Sequence, residues 1–196
     1  MYRYLLAPLL GAILCVFPAT ANASSLLTNG GFETGDFTGW TVVNPDGNMI
    51  VAGFNPHTGS FAAELGTADQ FGFLSQTVST TPGALYRLDY WLNGDGNPTA
   101  TTNEFQVSWN GQFIFDQTNL PDTVYHHYLF PNLAVSGTST VLQFAAQDNV
   151  GFLSLDDVSL VAVPEPATLG LGVAAFIAML ALSKSVKNRP FDIRRG

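Results

Sequence analysis

Hydrophobic and polar residues alternate along short stretches in the middle of this chain. In residues 86–92, tyrosine and leucine occupy every second position, and residues 105–109 alternate phenylalanine, valine and tryptophan with polar residues. A period of two is typical of a β-strand with one buried face. Asn110-Gly111 follows the second stretch and fits the central positions of a type I′ turn, so we predict a hairpin that returns through residues 113–115.

The rest of the region between residues 24 and 163 shows the same kind of pattern and no helical periodicity of useful length. Glycine, proline, asparagine and aspartate separate the apolar runs, as is typical of turns between strands. Further strands are predicted at 39–43, 61–65, 71–78, 125–130, 140–146 and 152–161. About eight or nine strands at this spacing predict an all-β fold, a β-sandwich of the jelly-roll type.

The first 23 residues have the order of parts found in a secretory signal peptide. Arg3 supplies a positive start, residues 5–17 are apolar, and Ala21 and Ala23 form the small-x-small cleavage pattern. A retained N-terminal anchor is the alternative, but the apolar run is short for a membrane span. Cys15 is the only cysteine of the sequence, so the mature protein is predicted to have no disulfide and to depend on its core or on a metal for stability.

Residues 163–196 fall into three parts. A proline-restricted segment at 163–166 precedes an uncharged run at 167–183 that is rich in alanine, leucine and glycine, and a basic tail follows at 184–196. The uncharged run is near the short end of the roughly 17–25 residues that span a membrane as a helix, and the basic flank would stay in the cytoplasm. A buried core helix is the alternative, but it would not explain the basic flank.

This order of parts resembles the PEP-CTERM sorting signal of Gram-negative bacteria, with Val163, Pro164, Glu165 and Pro166 as the motif. The resemblance implies processing by an exosortase, a membrane-embedded cysteine protease. It also implies a precursor anchored in the cytoplasmic membrane by its C-terminal helix and a mature protein at the cell surface or in the extracellular matrix of an exopolysaccharide-producing bacterium. The predicted organisation is a signal peptide at 1–23, a β-sandwich at 24–162 and a sorting signal at 163–196.

Acidic residues dominate the body between the two signals. The whole chain has a formal charge of −8, but residues 24–163 contain thirteen acidic residues and one basic residue, Arg87, for a formal charge of −12. One cation cannot neutralise a row of phosphates, so the charge of the body excludes nucleic acid as a partner.

Two motifs of the body support a more specific prediction of its fold. Asn29-Gly30-Gly31-Phe32-Glu33, followed by Gly39-Trp40, is near the start of the body, and Leu155-Asp156-Asp157-Val158 is near its end. Together they resemble the galactose-binding-like jelly-roll domains, a superfamily that includes many carbohydrate-binding modules. In that superfamily the first and last strands meet near a structural calcium. The resemblance therefore implies Glu33 and one of the two adjacent aspartates, with Asp156 preferred, as ligands.

The residues themselves give separate support for Ca²⁺. Asp156 and Asp157 are adjacent in an apolar strand, so one of them should face inward, where a carboxylate needs a cation or strong donors. Two glycines before Glu33 let the backbone turn and expose carbonyl groups, and Ca²⁺ binds six to eight oxygens. In the alternative interpretation, one aspartate faces solvent and the other caps a backbone turn. We predict a structural Ca²⁺ held by Glu33, Asp156 and Asp157.

Trp91 and Tyr125 are the candidate ligand-binding residues. Trp91 falls on the strand face opposite to the alternating tyrosines and leucines, where its ring could stack on a sugar. Such sites also need polar groups that fix the orientation of the ligand. Core packing is the alternative for any single aromatic side chain, and we prefer it for Trp40 and Trp109.

The histidines and acids give no catalytic set. His57, His126 and His127 lack the short spacing of a zinc site, so we expect solvated or hydrogen-bonded imidazoles. The sequence has no Gly-x-Ser-x-Gly elbow, His-Glu-x-x-His motif or phosphate-binding glycine loop. Carboxylate pairs of the kind used in glycoside hydrolysis arise by chance in so acidic a chain.

We therefore predict a protein that is not an enzyme. It is expected to act in exopolysaccharide or biofilm and to bind polysaccharide through exposed aromatic side chains. A structural surface protein without a specific ligand and a secreted glycan hydrolase are the alternatives.

Overall fold

Strands form in this protein where hydrophobic and polar residues alternate along the sequence. The computed structural model describes residues 24–94, 103–120 and 124–164, so the predicted signal peptide, transmembrane helix and basic tail lie outside the described residues. The ten strands are β1 (Thr41–Val43), β2 (Ile50–Ala52), β3 (Ala62–Leu65), β4 (Gly72–Ser79), β5 (Leu85–Asn93), β6 (Asn103–Trp109), β7 (Gln112–Thr118), β8 (His126–Ala134), β9 (Ser139–Asp148) and β10 (Leu153–Val163). Within these ranges no helix is long and apolar enough to cross a membrane.

The strands form two five-stranded sheets. The first sheet has the order β1-β4-β9-β6-β7, and the second has the order β2-β3-β10-β5-β8. Every pair of neighbouring strands is antiparallel. The prediction of an all-β sandwich is therefore confirmed.

The core lies between the two sheets and is rich in aromatic side chains. The alternating residues of β5 all face it, and Tyr90 packs against Phe105 and Phe144 of the first sheet at ring-centroid distances of 6.0 and 5.4 Å. Trp40 and Trp109 are buried in the same core, as predicted. Alternation thus identifies the buried face of the long strands correctly, because apolar burial is the main driving force for their packing.

Two local features differ from the sequence-based prediction. β2 is not predicted, because three residues at a sheet edge are too few for a recognisable period. β1 begins at Thr41 rather than at residue 39, since Gly39 adopts a left-handed φ of 87° before the strand. The hairpin at Asn110-Gly111 is confirmed, with φ angles of 52° and 75° between β6 and β7.

The N-terminal segment of the body lies along the last strand. Leu26 N donates to Leu160 O at 2.8 Å, and Val158 N donates to Gly30 O at 2.9 Å. Val163, the first residue of the predicted sorting motif, is also the last residue of β10, whereas Glu165 and Pro166 lie outside the described residues.

A β-bulge in β10 re-aims the side chains that follow it. Asp156 pairs with Trp91 and Ser159 with Asp89, so two residues of β10 lie opposite one residue of β5. Asp157, inside the bulge, has a φ of 49°. The bulge turns the Asp157 carboxylate toward the loop at 53–61, which covers the outer face of the second sheet.

Candidate ligand-binding site

A row of polar side chains crosses three strands on the outer face of the second sheet. Ser154 of β10 pairs with Glu64 of β3 on one side and with Asn93 of β5 on the other. Residues paired in this way point to the same side of a sheet. Glu64 is fully buried, and the exposed fractions of Ser154 and Asn93 are only 2% and 3%. Although they lie on an outer face, these three side chains are therefore shielded from water.

The row forms the floor of a cavity of about 380 Å³, which we call the Glu64 pocket. Its other lining residues are Phe54, Asn55, Gly94, Gly151 and Phe152. Phe54 and Phe152 meet edge to face with ring centroids 6.4 Å apart, and 65% of Phe54 is exposed. The volume falls within the range of roughly 300–1,000 Å³ that is typical of small-molecule sites.

The polar floor of the pocket is only partly satisfied. Ser154 Oγ donates to Glu64 Oε2 at 2.7 Å and accepts from Asn55 Nδ2 at 3.0 Å. Glu64 Oε1 and Asn93 Oδ1 have no hydrogen-bond partner among the residues that the structure describes. Buried oxygens without partners are rare in folded proteins and require an explanation.

Burial also affects the ionisation of the Glu64 carboxyl group at the floor of the pocket. Removal from water raises the pKa of Glu64 to about 7, because the charged carboxylate is poorly solvated there. The hydrogen bond from Ser154 opposes this rise in pKa, and the nearby Asp156 adds to it. The pocket thus holds a carboxyl group that exchanges its proton near neutral pH.

The two predicted ligand-binding residues lie beside this pocket and contact the same imidazole. His57 stacks on Trp91 with ring centroids 3.9 Å apart and planes 17° from parallel, and its ring meets that of Tyr125 at 5.1 Å. Trp91 is half-buried on the outer face of the sheet, and His127 also stacks on it at 4.8 Å. The imidazoles therefore already cover part of the Trp91 ring.

Hydrogen bonds connect this ring cluster to the pocket. Tyr125 Oη donates to the carbonyl oxygen of Asn55 at 2.5 Å, and Asn55 in turn lines the pocket. Burial raises the pKa of the Tyr125 hydroxyl, and the negative charges of Glu64 and Asp156 raise it further. Tyr125 consequently stays a neutral hydrogen-bond donor across the physiological pH range.

The three predicted calcium ligands border one another at Gly31. A methyl group built on Gly31 would lie 3.6 Å from Asp157 Oδ1, 3.8 Å from Asp156 Oδ1 and 3.9 Å from Glu33 Cγ. Among the described residues, however, no three His, Cys, Asp or Glu side chains are arranged to hold a metal ion. The three carboxylates therefore lie near one another without forming a complete set of side-chain ligands for a metal ion.

Each of these carboxylates also anchors the loop at 57–61. Asp156 Oδ2 accepts from the backbone N–H groups of His57 and Thr58 at 2.9 and 3.1 Å, and its Oδ1 accepts from the N–H of Asp157 at 2.7 Å. Glu33 Oε1 accepts from two further backbone N–H groups, those of Ser60 at 2.9 Å and of Phe61 at 3.0 Å.

Asp156 is fully buried, but it lies under this loop rather than between the two sheets. Its strong donors are thus backbone N–H groups, as in the turn-capping interpretation. Burial raises the pKa of Asp156 to about 6 in spite of these hydrogen bonds.

Charged partners are scarce on this face. Arg87 Nε lies 3.2 Å from Asp89 Oδ2, so the single basic side chain between residues 24 and 163 pairs with Asp89. His57 Nδ1 lies 2.6 Å from Asp157 Oδ2, in line with the expected hydrogen-bonded imidazole. His127 Nε2 lies 3.8 Å from Asp89 Oδ1.

The pattern of the sequence did not identify the pocket itself. Glu64 is an acid within an otherwise apolar strand, which is the signal that identified Asp156, and it could have been noticed in the same way. Ser154, Asn93 and Asn55 carry no comparable signal, because their role depends on strand register and on a covering loop.

No family model matches this chain, and no curated protein matches it. Solved structures are similar to it in fold. The carbohydrate-binding module TmCBM61, solved in complex with β-1,4-galactotriose, has a TM-score of 0.59 and 21% identity, and the match covers 72% of this chain and 100% of that one. The xylan-binding CBM22-1 domain of Paenibacillus barcinonensis Xyn10C has a TM-score of 0.50 and 19% identity, with coverage of 74% and 97%.

The K3 adhesin domain of Lys-gingipain from Porphyromonas gingivalis has a TM-score of 0.53 and 17% identity, with coverage of 68% and 96%. One fold is thus shared by carbohydrate-binding modules and an adhesin domain, and fold alone does not decide function. The chain shares with these solved structures a β-sandwich of two antiparallel sheets.

Proposed function

We propose that this chain is a jelly-roll carbohydrate-binding module that binds polysaccharide at the Glu64 pocket. The observation that carries the proposal is a pocket with an aromatic rim and a buried polar floor, on which two oxygens have no hydrogen-bond partner among the described residues. Sugars present apolar ring faces for stacking and hydroxyl groups that donate to such oxygens. Trp91 and Tyr125 extend the proposed site along the sheet, next to the rim.

A polysaccharide panel bound to a solid support tests this proposal with two matched variants. Phe54→Ala removes an exposed ring from the rim, and Phe113→Ala removes an equally exposed ring from β7 of the other sheet. We expect the full chain to retain at least one polysaccharide, with retention weakened about fivefold or more by Phe54→Ala alone, since a stacked aromatic contributes about 1 kcal/mol or more.

Each other result has a definite meaning. Retention of no polysaccharide would refute the proposal and favour the structural surface protein. Release of reducing sugar from the panel would favour the hydrolase. Equal weakening by both variants would place binding outside the pocket.

We propose further that the protein is exported and sorted by an exosortase to the cell surface or matrix, where it acts in exopolysaccharide or biofilm. The support is the order of the leader at 1–23 and of the motif, apolar run and basic tail at 163–196. Deletion of residues 167–196 spares β10 and removes the predicted anchor. We expect the shortened protein in the medium rather than at the surface, and unchanged surface retention would contradict the sorting proposal.

A structural Ca²⁺ beside Gly31 is also proposed, with Glu33, Asp156 and Asp157 as its carboxylate ligands. These hard anionic oxygens suit Ca²⁺, and backbone carbonyls would have to complete its coordination. A chelator should then lower the melting temperature of the protein, and added Ca²⁺ should restore it. Identical melting curves with chelator and with Ca²⁺ would refute the proposed calcium site.

A further inference from the structure

Among the described residues that line it, the Glu64 pocket has hydrogen-bond acceptors and no Lys or Arg side chain. Its floor offers a carboxyl oxygen of Glu64 and an amide oxygen of Asn93, both buried and both without a hydrogen-bond partner in the part of the chain that the structure describes. The described residues include a single Lys or Arg side chain, Arg87, and this guanidinium pairs with Asp89. His57, the nearest imidazole along the covering loop, has its Nδ1 on Asp157. A carboxylate at the floor therefore has no cationic side chain to balance it within the described part of the chain.

The groups that surround Glu64 add negative charge or are neutral. Asp156 from β10 is close enough to raise the pKa of Glu64, and Asp157 lies beside it in the bulge. Tyr125, which precedes β8, remains a neutral donor. An anionic sugar such as a uronic acid or a sulfated residue would meet like charge here and no Lys or Arg side chain of the described residues, and a buried unbalanced charge is unfavourable.

The rim adds attraction for a cation. Phe54 and Phe152 stand at the mouth of the pocket, and aromatic faces attract ammonium groups through their quadrupoles. An ammonium group has three N–H donors and no acceptor, which complements the two acceptor oxygens of Glu64 and Asn93 at the floor. A hydrogen bond between two charged groups is also about twice as strong as one between neutral groups.

We propose that the Glu64 pocket selects a sugar carrying a free amine, with its ammonium group bound by Glu64 and Asn93. This inference rests on the proposed polysaccharide binding and specifies its ligand class. A neutral hydroxyl would satisfy one oxygen but leave the carboxylate charge unbalanced. N-acetylation of the sugar would remove the positive charge and add an acetyl group that the floor must accommodate.

Four tetrasaccharides of matched length test the inference by calorimetry on the full chain. They consist of β-1,4-linked glucosamine, its N-acetylated counterpart, glucose and galacturonic acid. We expect the glucosamine oligomer to bind at least about tenfold more tightly than the other three. Glu64→Gln should remove this preference, and Asn93→Ala should weaken binding as a second, independent change.

Glu104→Gln serves as the matched control and should leave the preference intact. Glu104 is a half-buried residue of β6, in the other sheet. The inference would be overturned if Glu64→Gln and Glu104→Gln reduced the preference for glucosamine equally. It would also be overturned if 0.5 M salt abolished this preference in the unmodified protein, because either result would indicate non-specific attraction to an acidic protein. Binding of the glucose, galacturonic acid or N-acetylated oligomer in preference to glucosamine would also overturn it, while polysaccharide binding itself would stand. Retention of no polysaccharide on the broader panel would instead refute the proposed function.

Discussion

Replacement of Glu64 by glutamine should make the protein more stable at neutral and alkaline pH. Glu64 is fully buried, and burial raises the pKa of its carboxyl group from 4.5 to about 7. Glutamine keeps the volume and an oxygen that can accept the hydrogen bond from Ser154, but it never ionises. The variant therefore escapes the unfavourable free energy of a buried carboxylate.

The pH range of this effect follows from the two pKa values. Below about pH 4.5 the carboxyl group is protonated in both the folded and the unfolded states, so wild type carries no penalty. Between about 4.5 and 7 the unfolded state gives up its proton first, and the stability of wild type falls by up to about 1.4 kcal/mol per pH unit. Above pH 7 the loss levels off at about 3 kcal/mol, an upper estimate because buried groups can relax.

Urea unfolding followed by tryptophan fluorescence at pH 4, 6 and 8 measures this directly. The difference in unfolding free energy between Glu64→Gln and wild type should grow by about 3 kcal/mol from pH 4 to pH 8. Asp156, whose pKa is raised to about 6, titrates in both proteins and largely cancels in the difference. Glu104→Gln reports the effect of the change in net charge alone. A difference that stays constant with pH, or matches that of Glu104→Gln, would refute the reasoning.

Three further substitutions follow from the same structure. Tyr90→Phe should stabilise the fold by about 1 kcal/mol in thermal melts, because the buried Tyr90 hydroxyl has no partner among the described residues. Gly59→Ala should destabilise it by roughly 1–3 kcal/mol more than Gly47→Ala: both glycines have positive φ, but only at Gly59 would the methyl group meet the Glu33 carboxylate. Ser154→Ala should raise the pKa of Glu64 above 7 in a carboxyl NMR titration, since Ser154 now lowers it.

Period-two alternation was enough to predict the sandwich, because each long strand has one apolar face that must be buried. The interior side of β5 and the β6–β7 hairpin were both predicted in this way. The same argument fails on the outer face, where the burial of Glu64 depends on the loop at 53–61 rather than on its own strand. Sequence spacing does not encode which loop covers which strand.

For the site residues, too, some positions follow from local sequence patterns and others do not. Trp91 lies on the outer face of its strand, and Glu33, Asp156 and Asp157 lie near one another beside Gly31, while their roles as ligand-binding and metal-binding residues stay predictions. The stack of His57 on Trp91 joins residues that are far apart in the chain, and the bulge at Asp157 results from strand pairing. Both features are products of tertiary structure, for which a single sequence offers no local signal.

The position of the last two strands has a consequence for how the chain acquires its structure. β9 lies between β4 and β6, and β10 lies between β3 and β5, so the centre of each sheet is made by the final quarter of the body. Without them, each sheet is reduced to two separate strand pairs, which are marginal in water. A chain that emerges from its N-terminal end therefore cannot complete the first sheet before residue 148 or the second before residue 163, and pairings over such long sequence separations form slowly.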